Sequence, residues 1–235
     1  MQAIILAGGR GRRLIPFTDR CPKPLVPLGD TPILDTILRQ LKHFGFTQVT
    51  LAVGHMADQI QNYVGDGTRY GLDVSYTFEA EPLGTAGPLA LVEPMAQHFL
   101  VMNGDLITSL DYRDLFAFHR QQGALATIGT CPKMFQIDLG IIYADERAQI
   151  TDYIEKPAYT FQVSMGIYVF AAAVLKYIEP NKYFDFPDLV KRLLAAGERV
   201  VSYPFDGYWM DIGNHGDYEK ALDEYHAVKG SLHLD

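Results

Sequence analysis

Apolar residues fall in short continuous runs that alternate with amphipathic stripes along the first part of the chain. The continuous run at residues 3–6 predicts a strand buried on both faces, and further strands are predicted over residues 48–53, 74–78 and 99–105, the last ending in an exposed carboxylate. From Ile33 to Phe44 apolar side chains recur every three to four positions, which predicts a helix with Thr31 as its N-cap, Pro32 in its first turn and Gly45 after its end. A second helix is predicted over residues 58–64. This alternation predicts an α/β fold with a doubly wound, mostly parallel, Rossmann-like mixed sheet.

The alternation weakens after residue 110. Helices are predicted over residues 112–122, 171–178, 186–196 and 217–228, and strands over residues 125–129, 163–170 and 199–203. Two short apolar pieces, at 139–143 and 149–154, predict a small antiparallel subregion. We therefore expect one domain over residues 1–228, made of a first half (1–110) and a second half (111–228), with residues 229–235 as a tail.

Composition narrows the class of partner. The 235 residues include 48% apolar side chains, enough to fill a core, and carry a formal net charge of −8. An acidic protein is a poor ligand for nucleic acid or anionic membranes, so we expect neither as a partner. Cys21 and Cys131 have no paired or metal-binding spacing. The chain starts directly on its first strand and has no membrane-length apolar run, so we expect a cytoplasmic protein.

A cationic glycine loop follows the first strand. Residues 8–13 read Gly-Gly-Arg-Gly-Arg-Arg, and Lys23 follows between two prolines. Glycines allow close approach of the backbone to a ligand, and exposed N–H groups with arginine side chains attract phosphate. The stretch fits neither the P-loop, which ends in Lys-Ser/Thr, nor the dinucleotide fingerprint, because Leu14 stands where that motif has its third glycine. A strand-to-helix turn with solvated arginines is the plain alternative. We favour a polyphosphate site.

Two motifs around this loop resemble a known family. Residues 6–18 read Leu-Ala-Gly-Gly-Arg-Gly-Arg-Arg-Leu-Ile-Pro-Phe-Thr, and residues 22–25 read Pro-Lys-Pro-Leu. This is similar to the opening of the sugar-1-phosphate nucleotidyltransferases, also called nucleotide-sugar pyrophosphorylases. Arg12 departs from the family, which has a small hydroxyl residue there. The resemblance extends to about residue 222 through further motifs at Glu81–Gly87, Asp105, Gly140, Glu155–Pro157, Ser164–Tyr168 and Trp209–Gly213.

The resemblance implies a role for each of these positions. Arg13 and Lys23 would be catalytic, acting on the triphosphate. The implied nucleotide-binding residues are Leu6, Ala7, Gly8, Gly9, Gly11, Arg13, Glu81, Pro82, Gly84 and Thr85. The implied sugar-phosphate-binding residues are Gly140, Glu155, Lys156, Ser164 and Gly166. Asp105 and Asp211 would bind Mg²⁺, a cation that prefers a few carboxylates completed by substrate phosphates. Ser164 stands where the family usually has asparagine, so the resemblance does not predict which sugar is bound.

The implied reaction is transfer of a nucleotidyl group from a nucleoside triphosphate to a sugar 1-phosphate of mannose, heptose or glucose type. GTP is favoured, because the 81–91 loop resembles mannose-1-phosphate guanylyltransferases and the short chain resembles heptose-1-phosphate guanylyltransferases. In addition, a carboxylate such as Glu79 or Glu81 can accept both donors of the guanine edge. The alternatives are a uridylyl- or thymidylyltransferase acting on glucose 1-phosphate, a cytidylyltransferase acting on a non-sugar phosphate, and a non-catalytic nucleotide-sugar sensor. A homo-oligomer is compatible with the sequence.

Overall fold

The computed structural model describes residues 1–79, 81–93 and 95–234. Within them the strands are β1 (Gln2–Ala7), β2 (Pro27–Leu28), β3 (Thr31–Pro32), β4 (Gln48–Val53), β5 (Asp73–Phe78), β6 (His98–Asn103), β7 (Leu106–Thr108), β8 (Ala126–Gln136), β9 (Ile141–Ala144), β10 (Ile150–Ile154), β11 (Ala158–Ala171), β12 (Val200–Pro204) and β13 (Trp209–Asp211). The α-helices are α1 (Ile33–His43), α2 (Ala57–Val64), α3 (Tyr112–Gln122), α4 (Phe186–Ala195) and α5 (His215–Val228).

Seven strands form the central sheet in the order β12-β8-β11-β6-β1-β4-β5. Every neighbouring pair is parallel except the two that involve β11, which runs antiparallel to both β6 and β8. The predicted doubly wound, mostly parallel mixed sheet is therefore confirmed. Among the described residues, no helix combines the length and the apolar character needed to cross a membrane.

The core lies on both faces of this sheet. Side chains along β1 alternate between two apolar clusters, with Ala3 and Ile5 in one and Ile4 in the other, and all three are fully buried. The first cluster includes buried side chains of α1 and α3, and the second includes those of α4. A strand covered on both faces buries successive side chains, which is why the apolar run at residues 3–6 is continuous.

The register of the parallel strands brings their carboxyl ends to one edge. Ala7 of β1 lies beside Val53 of β4, which in turn lies beside Phe78 of β5, while Leu6 lies beside Asn103 of β6. In open α/β sheets ligands bind at this edge. The loops that follow β1, β5 and β6 therefore meet there.

Some local predictions need correction. Thr31 is not an N-cap: Thr31 and Pro32 pair with Pro27 and Leu28 as a short hairpin, and α1 begins at Ile33 after an extended Pro32 with no side-chain cap. The predicted helix at 171–178 is a 3-10 helix over Ala172–Tyr177. In the segment 229–234, which the sequence predicts to be a tail, Leu232 is fully buried in the core.

Beyond the central sheet, β8 and β11 continue together as a two-stranded ribbon, with Cys131–Gln136 paired antiparallel to Val163–Ala158. The strands β9 and β10, which also pair antiparallel, lie between them in the chain. We call residues 131–163 the arm. The predicted small antiparallel subregion is thus present, although both long strands extend further than the sequence pattern indicated.

Candidate active site

The glycine loop after β1 is shaped by close backbone contacts. Gly11 has a φ of 61°, in the left-handed region, and a Cβ there would lie 2.8 Å from Cγ2 of Thr18. Thr18 closes the turn by donating a hydrogen bond of 2.8 Å from its hydroxyl to the Gly11 carbonyl. A Cβ on Gly8 would lie 2.7 Å from Oε1 of Glu79. Gly11 is therefore needed for the shape of the loop, whereas a side chain at position 8 would displace the Glu79 carboxylate.

This loop forms one wall of a cavity of about 360 Å³ at the carboxyl edge of the sheet. The volume lies within the usual range of small-molecule sites. The lining residues are Leu6, Ala7, Gly8, Gly9, Lys23, Pro24, Glu79, Pro82, Gly84, Thr85, Asn103, Gly104, Asp105, Tyr183 and Asp185. Most of the residues implied to bind nucleotide thus meet in one place. We call this space the first cavity.

Lys23 and Asp105 form an ion pair at the base of the first cavity. Lys23 lies in a single 3-10 turn that follows Pro22, and its side chain is only 12% exposed; that of Asp105 is 20% exposed. The ammonium contacts Oδ2 of Asp105, whereas Oδ1 is buried and has no hydrogen-bond partner among the described residues. A buried carboxylate oxygen without a partner is costly unless a ligand completes it.

Asp211 lies beside Asp105 because β13 pairs with β7. Asp211 is opposite Leu106, and the Ile212 amide donates to the Asp105 carbonyl at 3.1 Å. Burial and the nearby Asp105 carboxylate raise the pKa of Asp211, while Lys23 and Arg13 act in the opposite direction. A Cβ on Gly213 would lie 3.7 Å from both Oδ1 of Asp211 and Nη1 of Arg13, so these two charged side chains lie against the same residue.

Two adjacent carboxylates with an unpartnered oxygen can hold a cation. Outside Ala80, Pro94 and Asp235, the chain has no cluster of three or more His, Cys, Asp or Glu residues suited to a metal ion. A site made by Asp105 and Asp211 alone fits Mg²⁺, which binds one or two carboxylates and takes its remaining ligands from water and substrate phosphates. The donor set is thus compatible with the implied metal.

The loop that precedes Thr85 is fixed by residues from the second half of the chain. Oδ1 of Asp185 accepts hydrogen bonds from the Thr85 amide at 2.9 Å and the Thr85 hydroxyl at 3.0 Å, and that hydroxyl accepts from the Phe186 amide at 2.9 Å. Tyr183 donates to Oδ2 of Asp185 at 2.6 Å. Gly84 has a φ of 78°, and a Cβ there would lie 2.7 Å from the Phe184 carbonyl. The loop is therefore held in one position.

Sequence reasoning missed Asn103, Tyr183 and Asp185 as cavity residues. Asp185 immediately precedes α4, where an aspartate usually caps the helix. Its side chain makes no capping hydrogen bond and holds Thr85 instead. No local pattern distinguishes these two roles.

The two glutamates before the loop differ in position. Glu79 lines the first cavity, and its Oε2 accepts a hydrogen bond of 2.7 Å from the Leu83 amide. Burial raises the pKa of Glu79, although the Leu83 amide opposes the shift. Glu81 is exposed and does not line the cavity. Of the two carboxylates that the sequence offered for the base, the structure brings Glu79 to the cavity wall.

The residues implied to bind the sugar phosphate lie in two separate places. Ser164 and Gly166 lie near the sheet, where a Cβ on Gly166 would be 2.7 Å from Nδ2 of Asn103, a wall residue of the first cavity. Gly140 and Glu155 lie on the arm, one on each side of Tyr153. The Tyr153 hydroxyl donates to Glu155 at 2.7 Å and leaves no room for a side chain at 140.

Lys156, the remaining residue of the implied sugar-phosphate set, is exposed on the arm. Its φ is 43°, in the left-handed region that non-glycine residues seldom adopt. None of the residues that line the first cavity comes from the arm. The structure therefore leaves Lys156, Gly140 and Glu155 on a different part of the molecule from the nucleotide-binding residues.

A second cavity, of about 640 Å³, lies on the other side of the carboxylate pair. Its wall includes Asp211, Arg13 and Trp209 together with two lysines that sequence reasoning did not single out, Lys133 and Lys220. The Trp209 indole donates to the Met165 carbonyl at 2.9 Å, which ties β13 to the segment of Ser164 and Gly166. Asp105 thus faces the first cavity and Asp211 the second, so that the pair lies between two spaces.

Known proteins resemble this chain in sequence and in fold. The chain is 33% identical to a UTP–glucose-1-phosphate uridylyltransferase from Synechocystis and 34% identical to mannose-1-phosphate guanyltransferase beta-A from Xenopus laevis, over 94% and 96% of its own length. It spans 62% and 64% of the lengths of these two relatives. Its fold matches the crystal structure of HddC from Yersinia pseudotuberculosis complexed with GMP-PN, with a TM-score of 0.73 and 25% identity, covering 95% of this chain and 99% of that one.

The family model described as nucleotidyl transferase matches residues 2–228, nearly the whole chain. The match includes the glycine loop, Lys23, both aspartates of the carboxylate pair and the arm. On these grounds the chain belongs to the nucleotidyl transferase family.

Proposed function

We propose that this chain transfers a nucleotidyl group from a nucleoside triphosphate to a sugar 1-phosphate and releases pyrophosphate. The observation that carries the proposal is the set formed by Lys23, Asp105, Asp211 and Arg13 between two cavities. A reaction between two polyanions needs two binding spaces that meet at a group of cations and metal-ligating carboxylates. The names of the relatives point to the same reaction class.

In the proposed reaction a phosphate oxygen of the sugar 1-phosphate attacks the α-phosphorus of the triphosphate. A new P–O bond forms, the bond between the α-phosphorus and its bridging oxygen to the β-phosphate breaks, and that oxygen leaves with pyrophosphate. The protein contributes positioning and electrostatic stabilisation. We assign Arg13 to the triphosphate and Lys23 to the α-phosphate, where each would offset the charge that develops. Two unit charges about 4 Å apart at an effective dielectric constant near 20 interact by roughly 4 kcal/mol.

Asp105 and Asp211 would hold Mg²⁺. When bound, such an ion neutralises phosphate charge and supports the departure of pyrophosphate. Lys23 contacts one oxygen of Asp105, so the other, unpartnered oxygen is the one available to a cation. The chain supplies the carboxylates in a fixed orientation through the β7–β13 pairing.

For the sugar phosphate we propose the second cavity and the neighbouring arm. Lys156 would bind the phosphate of the sugar, and Gly140, Glu155, Ser164 and Gly166 would contact the sugar itself. Lys133 and Lys220 add positive charge to the wall of the second cavity beside Arg13. The same wall carries three aspartates, at positions 206, 211 and 217, so we propose that an anionic substrate is held there by individual cations and not by a net positive field.

Guanine is the base that we propose. Guanine presents N1–H and N2–H₂ as adjacent donors, and the Glu79 carboxylate on the cavity wall can accept both. Uracil and thymine offer one donor on the corresponding edge, and a missing partner costs about 1–3 kcal/mol. The guanyltransferase name of one relative and the GMP-PN complex of HddC support this choice, while the Synechocystis relative is named for UTP.

A binding protein without turnover is the second candidate. It would use the first cavity as a sensor of nucleotide or nucleotide sugar. The presence of Arg13, Lys23, Asp105 and Asp211 in one group argues against it, because binding alone does not need all four.

The test is pyrophosphate release with GTP, UTP, dTTP, CTP and ATP in parallel, each with mannose, glucose and heptose 1-phosphates and Mg²⁺. We expect turnover, with the highest kcat/KM for GTP. A kcat/KM for UTP or dTTP more than ~10-fold above that for GTP would contradict the choice of guanine and leave the reaction class intact. Nucleotide binding without turnover in any combination would favour the sensor.

A further inference from the structure

Tyr183 lines the first cavity but has no part in the reaction described above. Among the described residues that form the wall of this cavity, it is the only one with an aromatic ring. It is also 64% exposed. An aromatic ring carries a large apolar surface, and covering that surface with a ligand is favourable. A ring left uncovered on the wall of a binding cavity therefore needs an explanation.

The backbone beside Tyr183 is fixed to the loop that follows β5. The Phe184 amide donates to the Leu83 carbonyl at 2.9 Å. The Phe184 carbonyl accepts from the amides of Ala86 and Gly87 at 2.9 and 3.0 Å. These three hydrogen bonds hold the segment before α4 against the cavity wall, so Tyr183 has a defined position there.

The two neighbouring aromatic side chains of this segment differ in their surroundings. The Phe184 ring packs against the core cluster of α4, and the Arg192 guanidinium lies 4.3 Å from its centroid. In the part of the chain that the structure describes, the Tyr183 ring packs against no other aromatic ring and no cation. Its hydroxyl donates to Oδ2 of Asp185 at 2.6 Å. A ring that is held at its hydroxyl end and exposed elsewhere is arranged in advance for a flat ligand.

The contacts of Tyr183 connect it to the part of the cavity that we assign to the base. A Cβ on Gly84 would lie 2.8 Å from Oδ1 of Asp185, the residue that accepts the Tyr183 hydroxyl. One residue before Gly84, the Leu83 amide donates to Glu79 at 2.7 Å. The ion pair assigned to the phosphates comes from other loops. A nucleobase that directs its polar edge to the Glu79 carboxylate still has two flat faces, which an aromatic ring can cover.

We propose that the ring of Tyr183 stacks on the nucleobase of the bound nucleoside triphosphate, an inference that rests on the proposed function. Every base has a π-face, and stacking on an aromatic side chain contributes to the binding of each of them. A purine offers a larger face than a pyrimidine, so the ring favours guanine over uracil, in the same direction as Glu79. Tyr183 is then a specificity residue that responds to the size of the base, whereas Glu79 responds to its edge.

The test is calorimetric binding of GTP, UTP and inorganic tripolyphosphate to the full chain in the presence of Mg²⁺. Tripolyphosphate has the phosphates of the nucleotide but no base. Tyr183→Ala should raise the Kd for GTP at least ~10-fold, since stacking is lost, and the Kd for UTP by a smaller factor. The Kd for tripolyphosphate should not change.

Two further variants separate stacking from a purely structural role of the hydroxyl. Tyr183→Phe keeps the ring and removes the hydrogen bond to Asp185, so the Kd for GTP should rise less than ~3-fold. Lys182→Ala is the matched control in the same segment. Lys182 is 68% exposed, pairs with Glu179 and does not line the first cavity, so its replacement should leave all three Kd values unchanged.

Weaker GTP binding in Tyr183→Ala alone supports the stacking role. Equal losses in Tyr183→Ala and Tyr183→Phe overturn it, because they would trace the effect to the hydrogen bond with Asp185. An equal loss of GTP and tripolyphosphate binding overturns it as well, since the base would then not be involved. GTP binding that Tyr183→Ala leaves unchanged overturns this inference and leaves the proposed function intact. A wild-type chain that binds neither nucleotide contradicts both.

Discussion

The first cavity and the arm are built differently, although both are assigned to substrates. The cavity lies at the ends of three parallel strands, and its loops are fixed by hydrogen bonds to distant parts of the chain, as between Asp185 and Thr85. The arm is built of strand pairs, β8 with β11 and β9 with β10, and eleven of its large apolar side chains are exposed. A site on a packed sheet is formed before its ligand arrives, whereas a site on a ribbon depends on what covers the ribbon.

This difference has a consequence for the two substrates. The proposed nucleotide site should keep its shape without a ligand, because hydrogen bonds to other parts of the chain fix its loops. The proposed sugar-phosphate site should depend on the position of the arm, because Lys156 and Glu155 are carried there. Variants of the two regions should therefore differ in the kinetic constant that they change.

The largest effect is expected at the carboxylate pair between the two regions. Asp105→Asn and Asp211→Asn should each lower kcat at least ~10²-fold, because each removes one metal-ligating charge. Measurement of kcat at saturating Mg²⁺ checks this. Thermal melts should remain cooperative, since both side chains face cavities. Near-normal turnover of either variant would mean that the pair does not bind the metal.

Arg13→Ala and Lys156→Ala should separate the two regions directly. Arg13→Ala should reduce kcat with every triphosphate, because the guanidinium is assigned to phosphate charge at the reacting centre. Lys156→Ala should raise KM for the sugar phosphate roughly 10-fold or more and leave nucleotide binding intact, as expected for the loss of one charge-assisted contact. Calorimetry with the triphosphate and steady-state kinetics check both. Loss of triphosphate binding in Lys156→Ala would reverse the assignment.

Asp185→Ala tests whether the fixed loop matters for the nucleotide. The change removes the acceptor of both Thr85 donors, and we expect KM for the triphosphate to rise ~5–30-fold, with KM for the sugar phosphate unchanged. Asp185→Asn keeps an acceptor oxygen and should recover part of the loss. Asp188→Ala, an exposed carboxylate in the first turn of α4, is the control. An equal rise in both KM values would indicate general loosening of the fold.

The smallest effect concerns pH. Burial raises the pKa of Glu79, so its carboxylate takes up a proton at a higher pH than an ordinary glutamate. If the ionised form accepts the guanine donors, KM for GTP should rise as the pH falls towards this raised pKa. Glu79→Gln is neutral at every pH and should remove that part of the pH profile. An identical profile in wild type and Glu79→Gln would exclude Glu79 as the group that reads the base.

Local sequence determined much of the first cavity. The continuous apolar run of β1 requires burial on both faces, and Gly11 after it has a left-handed conformation that other residues seldom adopt. The bounds predicted for β4 and for α3, Gln48–Val53 and Tyr112–Gln122, are those of the structure. These features depend on neighbouring residues, so a single sequence is enough to predict them.

Local rules failed where a longer pairing competed with them. Thr31 followed by proline is a typical helix start, yet the segment pairs with Pro27 and Leu28 instead. Asp185 stands in the capping position of α4, yet its side chain holds Thr85, one hundred residues earlier. In each case a hairpin pairing or a long-range hydrogen bond stabilises the structure more than a local helix cap would.

The positions of the site residues relative to one another were decided by tertiary structure alone. Sequence motifs indicated Asp105 and Asp211 as metal ligands, but only the β7–β13 pairing places them side by side. The sequence did not predict the exposure of the arm either. An apolar strand has the same sequence pattern whether it lies in a core or in an uncovered ribbon. The sequence determines what each segment can form by itself, whereas contacts between distant segments depend on which of them bury the most surface together.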